Sequence, residues 1–207
     1  MTGSFTVELF DVLVYLLPGL LTFLGLYWLF SERFQMRGLL GSSISNVVYV
    51  LLISFFLGVL VHIFSGFAYG VFRRAGDVRF IQNVVSKFED MDKVRGIVTQ
   101  RLDSSDSSDV AVYRYAEAVV IESANHHSAS YSRMMALSIL CRNSMIPLSL
   151  LFLVLGYHLK FTKWYYWIGL SILLISTELL LYRGMVMFWY GAIKRVLRAV
   201  LILYGFS

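Results

Sequence analysis

The sequence predicts an all-α polytopic membrane protein with four transmembrane helices and a cytoplasmic helical hairpin between the second and third spans. Of its 207 residues, 58% are hydrophobic and 15% are charged, whereas a soluble domain is roughly 45–50% apolar and about 25% charged. The mean hydropathy is +0.70. The apolar residues also form four long runs separated by charged stretches, and a helix needs about 20 such residues to cross a bilayer.

The four predicted spans form two hairpins. The first hairpin, residues 1–72, holds spans at 10–30 and 46–72, and the second hairpin, residues 134–182, holds the third and fourth spans. The first span lacks the basic n-region and the short apolar core of a cleavable signal peptide, so we expect it to remain as a helix. Tryptophan and tyrosine residues at both ends of the fourth span indicate aromatic belts at the membrane interfaces.

The distribution of Lys and Arg near the span ends predicts the orientation, because cytoplasmic loops carry an excess of these residues. The loops after the first and third spans hold Arg33, Arg37, Lys160 and Lys163. The other side holds twice as many: Arg73, Arg74, Arg79, Arg133, Arg183, Lys194, Arg195 and Arg198. We therefore expect both termini and residues 73–133 to lie in the cytoplasm.

Residues 73–133 predict the cytoplasmic hairpin. They hold nine basic and nine acidic side chains, so their net charge is zero, and a neutral segment lacks the clustered basic excess that binds nucleic acid. Apolar residues recur at three- and four-residue steps from Phe80 to Val98, as on one face of a helix. No Gly or Pro occurs between Val110 and Pro147, which favours one long helix entering the third span. Because two amphipathic helices bury little surface alone, we expect a homo-oligomer or a partner.

Three polar residues inside the spans are candidates for gating or ion passage, since intramembrane charges are costly and usually paired or functional. Reflecting the last two spans about the turn between them places Arg142 and Glu178 within about 3 Å of the same depth, at 1.5 Å per residue. They either form a structural ion pair, or Glu178 lines a pore. His62 either packs between helices or titrates.

Two helix faces predict packing and membrane contacts. The second span carries small residues at four-residue steps, interrupted by one histidine: Ser54, Gly58, His62, Gly66 and Gly70. Small residues on one face let helices approach closely, within the protomer or between protomers. Residues 183–207 predict a basic amphipathic helix, in which Lys194, Arg195 and Arg198 lie beside apolar residues. This helix either lies on the anionic inner leaflet or continues the fourth span and packs against residues 73–133.

The motifs for catalysis and metal binding are incomplete. Glu122 and His126 are four residues apart and can share a metal ion on a helix, but a metal site needs three or four ligands. The aspartates from Asp103 to Asp109 follow three-residue steps, whereas an EF-hand loop alternates its ligands at two-residue steps. We therefore predict a non-enzymatic protein with no catalytic residue, no metal and no cofactor.

Four short motifs carry a resemblance: Asp11-x-x-x-Tyr15-x-x-Pro18-Gly19, Gly58-x-x-x-His62, Arg142-Asn143 and Tyr182-Arg183. This layout resembles a broad group of small, four-span bacterial inner-membrane proteins, and it is similar to membrane effectors of anti-phage defence systems. The resemblance implies a homo-oligomeric channel or effector in the bacterial inner membrane, gated through its cytoplasmic helices by a protein partner or small ligand. The alternative is a non-conducting membrane scaffold that tethers a soluble partner protein.

Overall fold

A computed structural model describes residues 2–30, 43–102, 108–122, 126–159 and 163–204. Within these ranges the side chains of residues 2–11, 69–77, 101–102 and 126 are left out of the description. The predicted loop with Arg33 and Arg37, Lys160, and the aspartates at 103 and 106 therefore lie outside the described residues. The described secondary structure is α-helical: α1 (Thr2–Phe30), α2 (Ile44–Val85), α3 (Met91–Leu102), α4 (Asp109–Glu122), α5 (His126–His158) and α6 (Trp164–Tyr204).

Four of these helices are long and apolar enough to cross a membrane, which confirms the predicted all-α chain with four apolar helices. The apolar segments are Val12–Phe30, Ile44–Ala68, His127–His158 and Trp164–Tyr204. Pro18 and Pro147 lie inside two of them. Hydroxyl groups bond to backbone carbonyls close to both prolines, since Thr22 donates to Pro18 and Ser144 donates to Leu140. Such side-chain hydrogen bonds help apolar helices to tolerate proline.

Residue contacts divide the chain into two compact units. The span unit comprises Glu8–Ala68 and Ala136–Met185, and the core unit comprises Met1–Val7, Tyr69–Met135 and Val186–Ser207. By their bounds, α1, α2, α5 and α6 each supply residues to both units.

The core unit is built around an apolar cluster to which four helices contribute fully buried residues. These residues include Val85 of α2, Val94 and Val98 of α3, Val112, Ala116 and Val120 of α4, and Ile193, Val196 and Leu197 of α6. The small core predicted for residues 73–133 is thus completed by the C-terminal part of α6 from the same chain. Residues of α6 thus cover buried residues of α2, α3 and α4 within one chain.

α3 packs against α4, but the helical face predicted from Phe80 to Val98 is divided between α2, which ends at Val85, and α3, which begins at Met91. Polar contacts join α3 to the start of α4. Ser108 caps α4: its carbonyl accepts from the Val112 amide at 2.9 Å, and its hydroxyl oxygen accepts from the Ala111 amide at 3.4 Å. Asp109 in the first turn of α4 accepts a hydrogen bond from Arg95 of α3 at 2.6 Å. A carboxylate in the first turn also interacts favourably with the helix dipole.

The described part of α4 ends at Glu122, and α5 begins at His126. Residues 123–125, with the sequence Ser-Ala-Asn, lie outside the described residues. The continuous helix from Val110 into the third span therefore stays a prediction.

Candidate functional site

The polar cluster, as we call Tyr15, His62, Arg142 and Asn143, joins three helices inside the span unit. Asn143 of α5 is fully buried, and its side-chain amide donates to Nδ1 of His62 on α2 at 3.0 Å. The Arg142 guanidinium donates to the same nitrogen at 3.4 Å. The Tyr15 ring of α1 packs edge-on against the His62 ring, with centroids 5.2 Å apart. Since Nδ1 accepts from two N–H groups, it is the unprotonated nitrogen of the imidazole.

Close contact between α1 and α2 positions the polar cluster. A side chain at Gly58 would collide with the carbonyl oxygen of Tyr15, and a side chain at Gly19 would collide with the carbonyl oxygen of Ser54. The two backbones therefore touch, as small residues in apolar helices permit. One turn beyond Gly58, the same approach brings His62 against the Tyr15 ring.

Within one chain, only part of the small-residue row predicted on α2 lies in the described packing face, and packing of this row between protomers stays a prediction. Ser54 and Gly58 are buried, but a side chain at Gly66 would meet no described atom within 4 Å. A four-residue step advances about 40° beyond a full turn, so three steps from Ser54 rotate Gly66 away by about 120°. The buried line instead continues through Val61 and Ser65, whose exposed fractions are 8% and 4%. The surroundings of Gly70 lie outside the described residues.

Glu178 and Arg142 have different described partners. Glu178 of α6 accepts a hydrogen bond from Ser149 of α5 at 2.9 Å. Ser149 follows Arg142 by seven residues, or about 10 Å along the helix axis. The sequence predicts that Arg142 and Glu178 lie at the same level of the two helices. The structure instead places Glu178 beside Ser149, about two helical turns of α5 from Arg142. Reflection about a turn assumes equal tilt and no axial shift between the helices, and the sequence provides neither quantity.

The core unit contains a basic pocket, lined by His127 and Ser130 of α5 and by Arg195, Arg198 and Ile202 of α6. Its volume is about 370 Å³. Arg195 donates a hydrogen bond to the Ser130 hydroxyl, so α5 and α6 are joined at the pocket. The ammonium group of Lys194 instead lies over the Tyr190 ring, 4.6 Å from its centroid.

The interpretation of residues 183–207 as a helix lying on the membrane surface is wrong for the segment that carries these cations. Val196, Leu197 and Val200 between the cations are at most 1% exposed and belong to the core cluster. An amphipathic helix binds a bilayer through its apolar face, and here protein already covers that face. The described contacts match the other predicted arrangement, in which this segment extends the fourth helix and packs against residues 73–133.

A carboxylate–phenol cluster that sequence analysis missed connects α4 with α5 in the core unit. Glu117 accepts hydrogen bonds from Tyr113 and Tyr131, and both tyrosines are buried. Burial, followed by the Glu117 charge, raises the pKa of the Tyr113 phenol above its ordinary value. The phenol therefore stays protonated and donates at neutral pH. Tyr113 and Glu117 are four residues apart on α4, but Tyr131 of α5 follows Glu117 by fourteen residues. No local spacing therefore predicts that Tyr131 joins this cluster.

Among the described side chains, no group of three or more His, Cys, Asp or Glu residues could hold a metal ion. The side chain of His126 lies outside the described residues, so its pairing with Glu122 stays a prediction. The motif residues Tyr15, Gly58, His62, Arg142 and Asn143 do converge in and beside the polar cluster. No known family model, curated protein or solved structure matches the chain, so its function is inferred from its own residues.

Proposed function

We propose that the protein is a homo-oligomeric integral membrane protein of channel or effector type, and that the polar cluster controls ion passage across its span unit. The observation that carries the proposal is the placement of a guanidinium, an imidazole and an amide between apolar helices. Each group is costly to place among lipid-exposed segments, and intramembrane cations commonly mark ion or proton pathways.

Structural packing alone is an insufficient reason for this cluster. Well-packed apolar side chains in place of buried charged groups are often neutral or stabilising. The contact between α1 and α2 is already close at Gly19 and Gly58. His62 therefore adds polarity beside a contact that small apolar residues already close, and Arg142 of α5 adds a charge next to it. Polarity between spans lowers the barrier for water and ions.

The exposed apolar faces of α2 and α6 support the membrane and oligomer parts of the proposal. On α2, Phe64 and Phe67 are 66% and 73% exposed, and on α6 Leu180 is 70% exposed. Apolar faces of this extent are covered in a functional protein by lipid, by a partner or by a second copy. We propose lipid and further copies of the chain as the cover, in the bacterial inner membrane with residues 73–133 in the cytoplasm.

The resemblance to membrane effectors supports a role in bacterial anti-phage defence, in which the core unit receives the signal. Because α2, α5 and α6 contribute to both units, a change at the core-unit end of these helices has a continuous helical route to the residues of the polar cluster.

The proposal is tested by purification in mild detergent followed by reconstitution into liposomes that contain a small fluorescent dye. We expect a cross-linkable oligomer and dye or ion release that depends on protein dose. A monomer together with tight liposomes contradicts the proposal. An oligomer that leaves the liposomes tight favours the non-conducting scaffold, whose task would be to tether a soluble protein through residues 73–133.

A further inference from the structure

We propose that the basic pocket of the core unit binds a phosphate monoester group. On α6, Arg195, Arg198 and Ile202 follow one another at steps of three and four residues, so they share one face of the helix. His127 and Ser130 of α5 are three residues apart and line the opposite wall. Two helices thus present basic and hydroxyl groups to one opening.

The two arginines of this pocket form no ion pair with a described carboxylate. Described ion pairs in the core unit join Lys93 to Asp90, and Arg95 to Asp92 and Asp109. Arg195 and Arg198 take part in none of these. Two guanidinium groups one helical turn apart repel each other, and an anion between them would convert this repulsion into attraction.

The donor groups fit a phosphate monoester better than a carboxylate or a chloride ion, because the monoester carries nearly two negative charges and three acceptor oxygens for two guanidinium groups and a hydroxyl. Each guanidinium presents planar N–H groups that bind phosphate oxygens in pairs. Ser130 accepts from Arg195 through its oxygen, so its O–H group is left to donate to a ligand. The pocket volume of about 370 Å³ falls in the roughly 300–1,000 Å³ range of small-molecule sites.

The pocket also has an apolar edge, which suggests that the phosphate belongs to a larger molecule. Ile202 is 58% exposed and lies one turn beyond Arg198. It offers contact to the part of the ligand that carries the phosphate, in either a soluble phosphate ester or a lipid headgroup. The site does not depend on the proposed channel activity, because binding is measured without any ion flux.

Binding is tested on the full chain in nanodiscs of phosphatidylcholine, titrated by calorimetry with glycerol 3-phosphate, a soluble phosphate monoester. In a second arm the detergent-solubilised chain is titrated with short-chain phosphatidic acid, and short-chain phosphatidylcholine, which lacks a monoester, is the control. Heat with glycerol 3-phosphate identifies a soluble phosphate monoester as the ligand class, whether or not phosphatidic acid also binds. Heat with phosphatidic acid alone identifies a lipid headgroup. Heat with neither probe overturns the proposal.

The arginine variants separate this site from nonspecific charge. Arg195→Gln and Arg198→Gln should each weaken binding about tenfold or more, because each removes charge-assisted hydrogen bonds to the phosphate. Arg195→Lys keeps the charge without the paired N–H geometry and should weaken binding less. Arg114→Gln removes an exposed charge from α4, outside the pocket lining, and should leave the affinity within about twofold. Equal weakening by Arg114→Gln and Arg195→Gln, or no weakening by the pocket variants, would overturn the assignment.

Discussion

At the scale of single residues, two glycines determine how closely α1 and α2 approach. Gly58 faces the Tyr15 carbonyl and Gly19 faces the Ser54 carbonyl, and in both cases the obstacle to a side chain is backbone. Backbone cannot rotate away as a flexible side chain can, so the helices must separate if either glycine gains a methyl group. Gly66 lies on the same helix as Gly58 but meets no such obstacle.

Gly58→Ala should therefore lower the free energy of unfolding by about 1–3 kcal/mol, the usual cost of overpacking. Gly66→Ala is the matched control. It should be neutral or stabilising by up to about 1 kcal/mol, because alanine favours the helix where space is open. Thermal unfolding in mild detergent measures both variants. A Gly58→Ala protein as stable as Gly66→Ala would contradict the close contact between α1 and α2.

The partner of Glu178 is a second residue-scale test. The Ser149–Glu178 hydrogen bond predicts a coupling energy of about 1 kcal/mol in a double-mutant cycle of Ser149→Ala and Glu178→Gln. A cycle of Arg142→Gln and Glu178→Gln should give less than about 0.5 kcal/mol, as expected for residues without shared partners. A coupling energy that is larger in the Arg142 cycle than in the Ser149 cycle would contradict this result and support the ion pair predicted from the sequence.

At the scale of helices, the C-terminal part of α6 completes the core unit. The sequence predicts that Val196, Leu197 and Val200 share an apolar face, because periodicity reveals which residues of a helix lie together. It leaves open whether lipid or protein covers that face, because periodicity is the same in both cases. Only the tertiary contacts with α2, α3 and α4 decide between the two arrangements.

Leu197→Ala should consequently destabilise the protein by about 2–5 kcal/mol, the range for truncation of a fully buried leucine. Leu203→Ala is the control on the same helix, since Leu203 is 36% exposed, and its cost should be less than half as large. Chemical unfolding followed by circular dichroism provides the comparison. Equal costs for the two variants would indicate that α6 does not pack in the core as described.

At the scale of the whole molecule, the apolar runs were sufficient to predict four long helices, because crossing a bilayer imposes a minimum length on each helix. The polar cluster was predicted only in part. His62 and Arg142 are conspicuous because they interrupt apolar sequence, whereas their contact depends on helix rotation and axial shift, which composition does not determine. Asn143 and Tyr15 were noticed only as parts of motifs, and Ser149 was missed because serine is common in apolar helices.

The central claim is that the polar cluster controls ion passage, and ion flux from liposomes that contain the Arg142→Gln protein tests it most directly. We expect flux to fall about tenfold or more, a change of about 1.4 kcal/mol in the barrier, while helicity and oligomeric state stay as in the natural sequence. Arg183→Gln is the control, because it removes an exposed guanidinium from α6 and should leave flux unchanged. Equal flux from both variants, with both proteins folded, would contradict the account.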